Sequence, residues 1–251
     1  MHRVILISLL FLNLSITAQT KNKQLQGLFW FRYNTSIELP KKFLLKAEIE
    51  ERMFIAKKVK QNQFYVRFTF DKILTKNLNF GVGFSSWYYG NGDELKTTTL
   101  MIPEWRPHIE FNYKNKIVER LNFSQRFRTE MRFVKNTNKE FTETIDGYTN
   151  SFRFRYMIML DYAVYKKDEK SLQLIVFDEL MINAGKSIQR NIFDQNRFGL
   201  SARYNFNKRF GLELGYINWF QQRPSGVDFF NRQILRCTLH SNFAILKKNK
   251  N

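Results

Sequence analysis

Three patterns in this chain carry residue types that could do chemistry. The first is "SQRFRTEMR" (124–132), where Arg126, Arg128, Glu130 and Arg132 stand on every second position. In a β-strand such residues share one face. A guanidinium fork can grip a carboxylate with two hydrogen bonds, and where cations outnumber acids it can grip an outside anion instead. The second is "TLHSNF" (238–243), a His beside a Ser. Nucleophile activation needs the two side chains within hydrogen-bond reach. Adjacent residues of a strand point to opposite sides, so without a bulge His240 and Ser241 cannot pair, and a lipid-hydrolase reading fails there. The third is "GNGDEL" (90–95). It lacks the further carboxylates and spacing of a calcium loop and reads as a flexible outer loop. No phosphate loop or paired His/Glu zinc motif occurs. Cys237 is the only cysteine, which excludes an internal disulfide and a cysteine metal cluster. The expectation is no catalytic residue, no cofactor, no metal and no enzyme.

The elements that must hold the first pattern are strands. Period-two segments fall near 26–37, 43–54, 62–71, 78–88, 101–113, 119–133, 149–165, 171–183, 194–206, 210–222 and 230–244. In the second, Lys46, Glu48, Glu50 and Arg52 alternate with Leu45, Ala47, Ile49 and Met53. In the fifth, Glu104, Arg106, His108, Glu110 and Asn112 alternate with Trp105, Ile109, Phe111 and Tyr113. In the sixth, the Arg/Glu ladder alternates with Phe123, Phe127, Met131 and Phe133, and in the seventh Arg153 and Arg155 alternate with Phe152, Phe154, Tyr156, Ile158 and Leu160. The eighth is apolar on both faces, and Asn183 assigns Glu179 to the polar one. With 4 Pro and no linker or low-complexity run, residues 19–251 read as one domain.

The solvent for both faces follows from the rest of the chain. The 251 residues are 43% hydrophobic and 16% aromatic, with 26 Phe, yet the mean hydropathy is −0.43. No run after the N-terminus is long and apolar enough for a membrane helix. Residues 1–18, with Arg3, the apolar "VILISLLFLNLSI" and Ala18, read as a signal peptide cleaved before Gln19 rather than as an N-terminal anchor. Export argues against nucleic acid as the partner of the +19 net charge. Short Lys-rich connections ("ELPKKF", "DKILTKN", "KNKI", "YKKDEK", "FNKRF") alternate with longer ones such as "YYGNGDELKTTT" and "VKNTNKEFTETIDGY", as in an antiparallel meander with turns at one end and loops at the other. A soluble β-sandwich would put the charges into water. Stacked charges of both signs, with aromatics on the opposite face near strand ends, fit a polar lumen and a lipid-facing wall better. The fold class expected is all-β: an antiparallel up-and-down transmembrane β-barrel of ten to twelve strands. An even count requires either an extra strand at 19–25, giving twelve, or loss of the first, giving ten. Twelve is preferred.

The motifs "LFWFRYNTSIELPKKFLLKAEIEER", "EWRPHIEF", "FSQRFRTEMRF", "SFRFRYMIMLDY", "VFDELMIN" and "FDQNRFGLSARYNF" occur in that order. They resemble the outer-membrane β-barrel family catalogued as domain of unknown function 2490, over nearly the whole chain after residue 18. The resemblance implies a barrel in the outer membrane of a Gram-negative cell and implies no activity. The candidate site is the charged lumen: Glu48, Glu50, Arg52, Arg67, Glu104, Arg106, His108, Glu110, Arg126, Arg128, Glu130, Arg132, Arg153, Arg155, Glu179, Arg197 and Arg203, with Asp161 beside them. Its surplus of Arg points to porin-like passage or binding of small anionic solutes. The alternative is a non-conducting structural or interaction barrel plugged by its own salt bridges. The partners expected are outer-membrane lipid and a small anionic solute, and the oligomeric state is left open.

Overall fold

The computed structural model describes residues 21–55, 60–95 and 98–245. The expected signal peptide and the tail "LKKNKN" lie outside the described residues. Eleven strands account for nearly all of the regular structure: β1 (Asn22–Leu39), β2 (Phe43–Phe54), β3 (Lys60–Ile73), β4 (Leu78–Tyr89), β5 (Ile102–Val118), β6 (Leu121–Thr137), β7 (Thr144–Lys167), β8 (Lys170–Ala184), β9 (Phe193–Asn205), β10 (Phe210–Gln222) and β11 (Asp228–Ala244). Each coincides with one of the period-two segments. One helical turn, Pro40–Lys42, joins β1 to β2.

Each strand pairs antiparallel with the next, and β11 closes on β1 to complete a barrel. The closing pair is parallel. An up-and-down meander with an odd number of strands can close only this way, because its first and last strands run in the same direction. The even count is therefore not realised. Residues 22–25 are not an additional strand but the first part of β1, whose register with β11 runs unbroken from Asn22↔Asp228 to Glu38↔Ala244. Closure leaves no sheet edge, so every wall strand finds backbone partners on both sides.

Alternation sorts the side chains as the ladder required. On β6, Arg128 and Glu130 are 1% and 0% exposed, whereas Phe127 and Met131 are 44% and 43% exposed. On β8, Glu179 and Asn183 are buried inward while Leu174, Leu180 and Ile182 are exposed. The same parity sends Asp178 to the outer wall, where its Oδ1 accepts a 2.6 Å hydrogen bond from Asn196. Gly81 and Gly83 on β4 face inward. A Cβ on Gly83 would collide with the Phe68 carbonyl oxygen and the His108 ring, so the wall there depends on glycine for the close approach.

The connections at one end are short: residues 40–42, 74–77, 119–120, 168–169 and 206–209. Those at the other end are longer, with 90–101 the longest. One expected loop is mostly strand. The stretch 134–148 continues the β6–β7 ladder through Lys135↔Tyr148 and Thr137↔Thr144, leaving a turn at 138–143. Residues 144–150 of this hairpin are exposed on both faces, so the apolar alternation that marks a wall strand is missing from its sequence.

Candidate functional site: a net-basic lumen

The lumen is filled by long charged side chains in successive layers along the barrel. Glu130 is the hub of the middle layer. Its carboxylate lies 2.7 Å from Arg155, 3.3 Å from Arg106, 3.9 Å from Arg67 and Arg128, and 4.0 Å from Arg153. Each of these arginines also reaches a second acid: Arg155 to Glu179 at 2.8 Å, Arg106 to Glu104 at 2.6 Å, Arg67 to Glu48 at 3.2 Å, Arg128 to Glu110 at 2.5 Å and Arg153 to Asp194 at 2.8 Å. Arg132 shares Glu104 and Arg126 shares Glu179. Toward the short turns, Lys46 bridges Glu110 and Asp71, and His108 meets the Thr69 hydroxyl at 3.1 Å. On the far wall Glu213 holds Arg203, Arg236 and His240 at 2.6, 3.1 and 3.1 Å.

The structure places all seventeen residues of the expected site in the lumen and brings most of them into this one network. Asp161 is there too, hydrogen-bonded to Asn122. Reading the sequence missed several others. Arg32, Asp71, Asp194, Glu213, Arg232 and Arg236 also face inward, but each stands without a like-spaced charge on its strand or among apolar residues, so no ladder announces it. Asp194 is turned inward beside a register shift between Met181 and Ile182 on its partner strand, which simple parity cannot show.

The aromatic residues need a correction. Trp was expected on the lipid-facing side, yet Trp30, Trp87 and Trp219 are at most 3% exposed and face the lumen, while Trp105 faces out at 48%. The inward indoles form a wall for arginines. The Arg52 guanidinium lies 3.7 Å from the Trp30 ring centroid and Arg106 lies 4.0 Å from that of Trp87. Trp30 and Trp219 meet edge to face within a cluster that includes Leu28, Phe54, Ile217 and Ile234. This cluster occupies one side of the lumen near the long loops.

The "GNGDEL" segment lies in the longest connection and is hydrogen-bonded to the barrel mouth. The Gly92 carbonyl accepts hydrogen bonds from Gln26 Nε2 and Arg232 Nη2, both at 3.0 Å, and Asp93 accepts one from Gln24. His240 and Ser241 face opposite ways. His240 contacts Glu213, whereas Ser241 contacts Tyr33 and Thr35 on the outer side.

Between the charged layers lies a cavity of about 300 Å³. Its lining holds thirteen Arg and Lys side chains against four Glu. The other lumen acids, Asp71, Glu104, Glu110, Glu130, Asp161 and Asp194, are buried outside that lining.

A family model described as "Protein of unknown function (DUF2490)" matches residues 27–231. The chain belongs to this family. The matched region runs from β1 into β11 and so takes in the barrel wall and the lumen network together. No curated protein matches the chain. Among solved structures it is similar to one described as a NanC porin in a rhombohedral crystal form, with 11% identity, a TM-score of 0.46, and coverage of 80% of this chain and 91% of the other. The barrel itself rests on the strand register given above.

Proposed function

We propose that this DUF2490 chain is an outer-membrane barrel that admits or binds small anionic solutes in its lumen. The observation that carries the reading is the cavity lining, where Arg and Lys exceed Glu thirteen to four. A cleft with walls of one sign focuses its field and raises the local concentration of the opposite ion. The exterior favours a lipid setting. Phe68, Phe84, Ile109, Phe127, Tyr156, Leu180, Leu200 and Leu214 are each more than two-fifths exposed on successive strands from β3 to β10, a surface that water would penalise and hydrocarbon would not. Eleven strands lie between small barrels filled by their side chains and wide water-filled porins, so the passage is narrow and selective.

The test is planar-bilayer conductance of the refolded chain under a salt gradient, compared with Arg126→Gln/Arg203→Gln. Both side chains line the cavity, and the acids they touch keep other cations: Glu179 keeps Arg155, and Glu213 keeps Arg236. Anion-selective conductance that weakens in the variant is the expected result. A folded barrel without conductance or anion binding overturns the reading. It would favour a non-conducting structural barrel, for which the apolar cluster around Trp30 and Trp219 is the specific observation.

A further inference from the structure

The half of the lumen nearer the long loops differs from the middle layer in what partners its arginines. Arg197 forms no ion pair or hydrogen bond among the described residues. Its guanidinium rests 4.7 Å from the Trp219 ring centroid and 5.3 Å from that of Trp30, and its Nε is buried without an acceptor. Arg232 is 1% exposed and is held by neutral oxygens, those of Gln26, Gln221 and Gly92. Glu179, the Cα partner of Arg197, is held by Arg126 and Arg155. A buried cation without a hydrogen-bonded counter-ion is costly, so Arg197 in the cavity lining and Arg232 behind it need a reason.

The glutamines supply it. Gln63, Gln195 and Gln221 all line the cavity beside Arg197. In each, the side-chain carbonyl is already taken by a fixed donor: Arg52 Nη1 for Gln63 at 2.6 Å, the Trp219 indole N–H for Gln195, and Arg232 Nη1 for Gln221 at 2.6 Å. A donor on Oε1 fixes which way an amide is turned. The NH2 ends are therefore the groups left over. Gln195 spends its own on the Met181 sulfur, a weak acceptor, and the other two have no acceptor among the described residues. The Trp30 indole N–H is buried without an acceptor as well. The chamber thus offers donors with no matching acceptors.

We propose that this chamber is an oxyanion-binding subsite, in which Arg197 and the amide groups of Gln63, Gln195 and Gln221 hold the carboxylate, phosphate or sulfate group of a solute. This rests on the anion reading of the lumen and narrows it. A halide gives one acceptor centre, whereas an oxyanion carries several oxygens that can meet a guanidinium fork and separate amides at once. The indoles beside Arg197 provide the readout.

The experiment titrates the refolded full chain in detergent with sodium phosphate, and separately with sulfate and acetate, at constant ionic strength made up with chloride. Tryptophan emission is followed. The expected result is a saturable change with at least one oxyanion, absent with chloride alone, and a rise in Kd of tenfold or more in Arg197→Gln. The variant's fold is checked by heat-modifiable gel mobility. If Arg197→Gln does not fold, Gln221→Glu replaces it: an internal carboxylate beside Arg232 and Arg197 should abolish the saturable response in a folded barrel. A response that chloride reproduces, or a Kd unchanged in both variants, overturns the subsite. Anion-selective conductance with no saturable oxyanion response sinks the subsite and leaves the proposed function standing. Loss of both signals removes both.

Discussion

Replacing Glu130 by Gln tests whether the middle layer is a buried network or a wet, exchangeable set of charges. Glu130 is 0% exposed and its carboxylate lies within 4.0 Å of five arginines. Breaking one buried ion pair costs roughly 3–5 kcal/mol, because the remaining charge stays in a poor solvent. Here every one of the five retains a second acid, at distances between 2.5 and 3.2 Å. Gln also keeps the shape and one acceptor oxygen. The loss therefore belongs at the low end, about 3 kcal/mol, or roughly a hundredfold in the unfolding equilibrium. In urea unfolding of the barrel in lipid vesicles, with a slope of about 2 kcal/mol/M, the midpoint should fall by about 1.5 M. Glu48→Gln is the comparison. That residue forms one ion pair, with Arg67, and its side chain is 17% exposed, so it should cost only about 1 kcal/mol. If Glu130→Gln unfolds within about 0.5 kcal/mol of the parent at an unchanged slope, water replaces the carboxylate freely and the network reasoning fails.

Three further predictions address the wall. Phe31 and Cys237 are Cα partners in the parallel β1–β11 pair, so Phe31→Cys should be joined to native Cys237 by a short bis-thiol cross-linker, giving a species of altered mobility on denaturing gels; equal or better linking from Leu25→Cys would refute the register. Of the four Trp, only Trp105 faces out; quenching of emission by brominated lipid should largely vanish in Trp105→Phe, and quenching that persists would mean the lumen assignment of Trp30, Trp87 and Trp219 is wrong. Gly83→Ala forces a methyl against the Phe68 carbonyl and the His108 ring and should destabilise the barrel by about 1–3 kcal/mol in the same urea assay; a neutral result would show that β3 and β4 are less closely apposed there than the structure has them.

How far the chain could be read before its structure depended on whether the two faces of each strand differ. On β5 and β6 they do: Glu104, Arg106, His108 and Glu110, or Arg126, Arg128 and Glu130, stand against aromatic and aliphatic neighbours, and both strands and facing follow from parity. On β1 they do not. Leu28 and Trp30 share a face with Gln26 and Arg32, while Phe29, Phe31 and Tyr33 hold the other. Period two marks the strand, but hydropathy cannot say which indole meets lipid. The strand count failed for a different reason. Nothing in a sequence records whether the first and last strands meet parallel or antiparallel, since that pairing joins residues about two hundred positions apart.

The same contrast locates the uncompensated charge. A ladder of alternating Arg and Glu is legible because both signs are present, and for that reason it largely neutralises itself: the middle layer carries its own counter-ions. Arg197 and Arg232 lie on β9 and β11, where Gln195, Ser201, Ile234 and Thr238 separate the charges on the inward face. Neither strand alternates Arg with a carboxylate, so neither shows a ladder. Glu179, the Cα partner of Arg197, is held by Arg126 and Arg155, and Arg232 is met by neutral oxygens. The most readable part of the lumen is thus the part best explained as wall. The proposed anion site falls to the strands whose inward faces are populated by glutamine, tryptophan and isolated arginine.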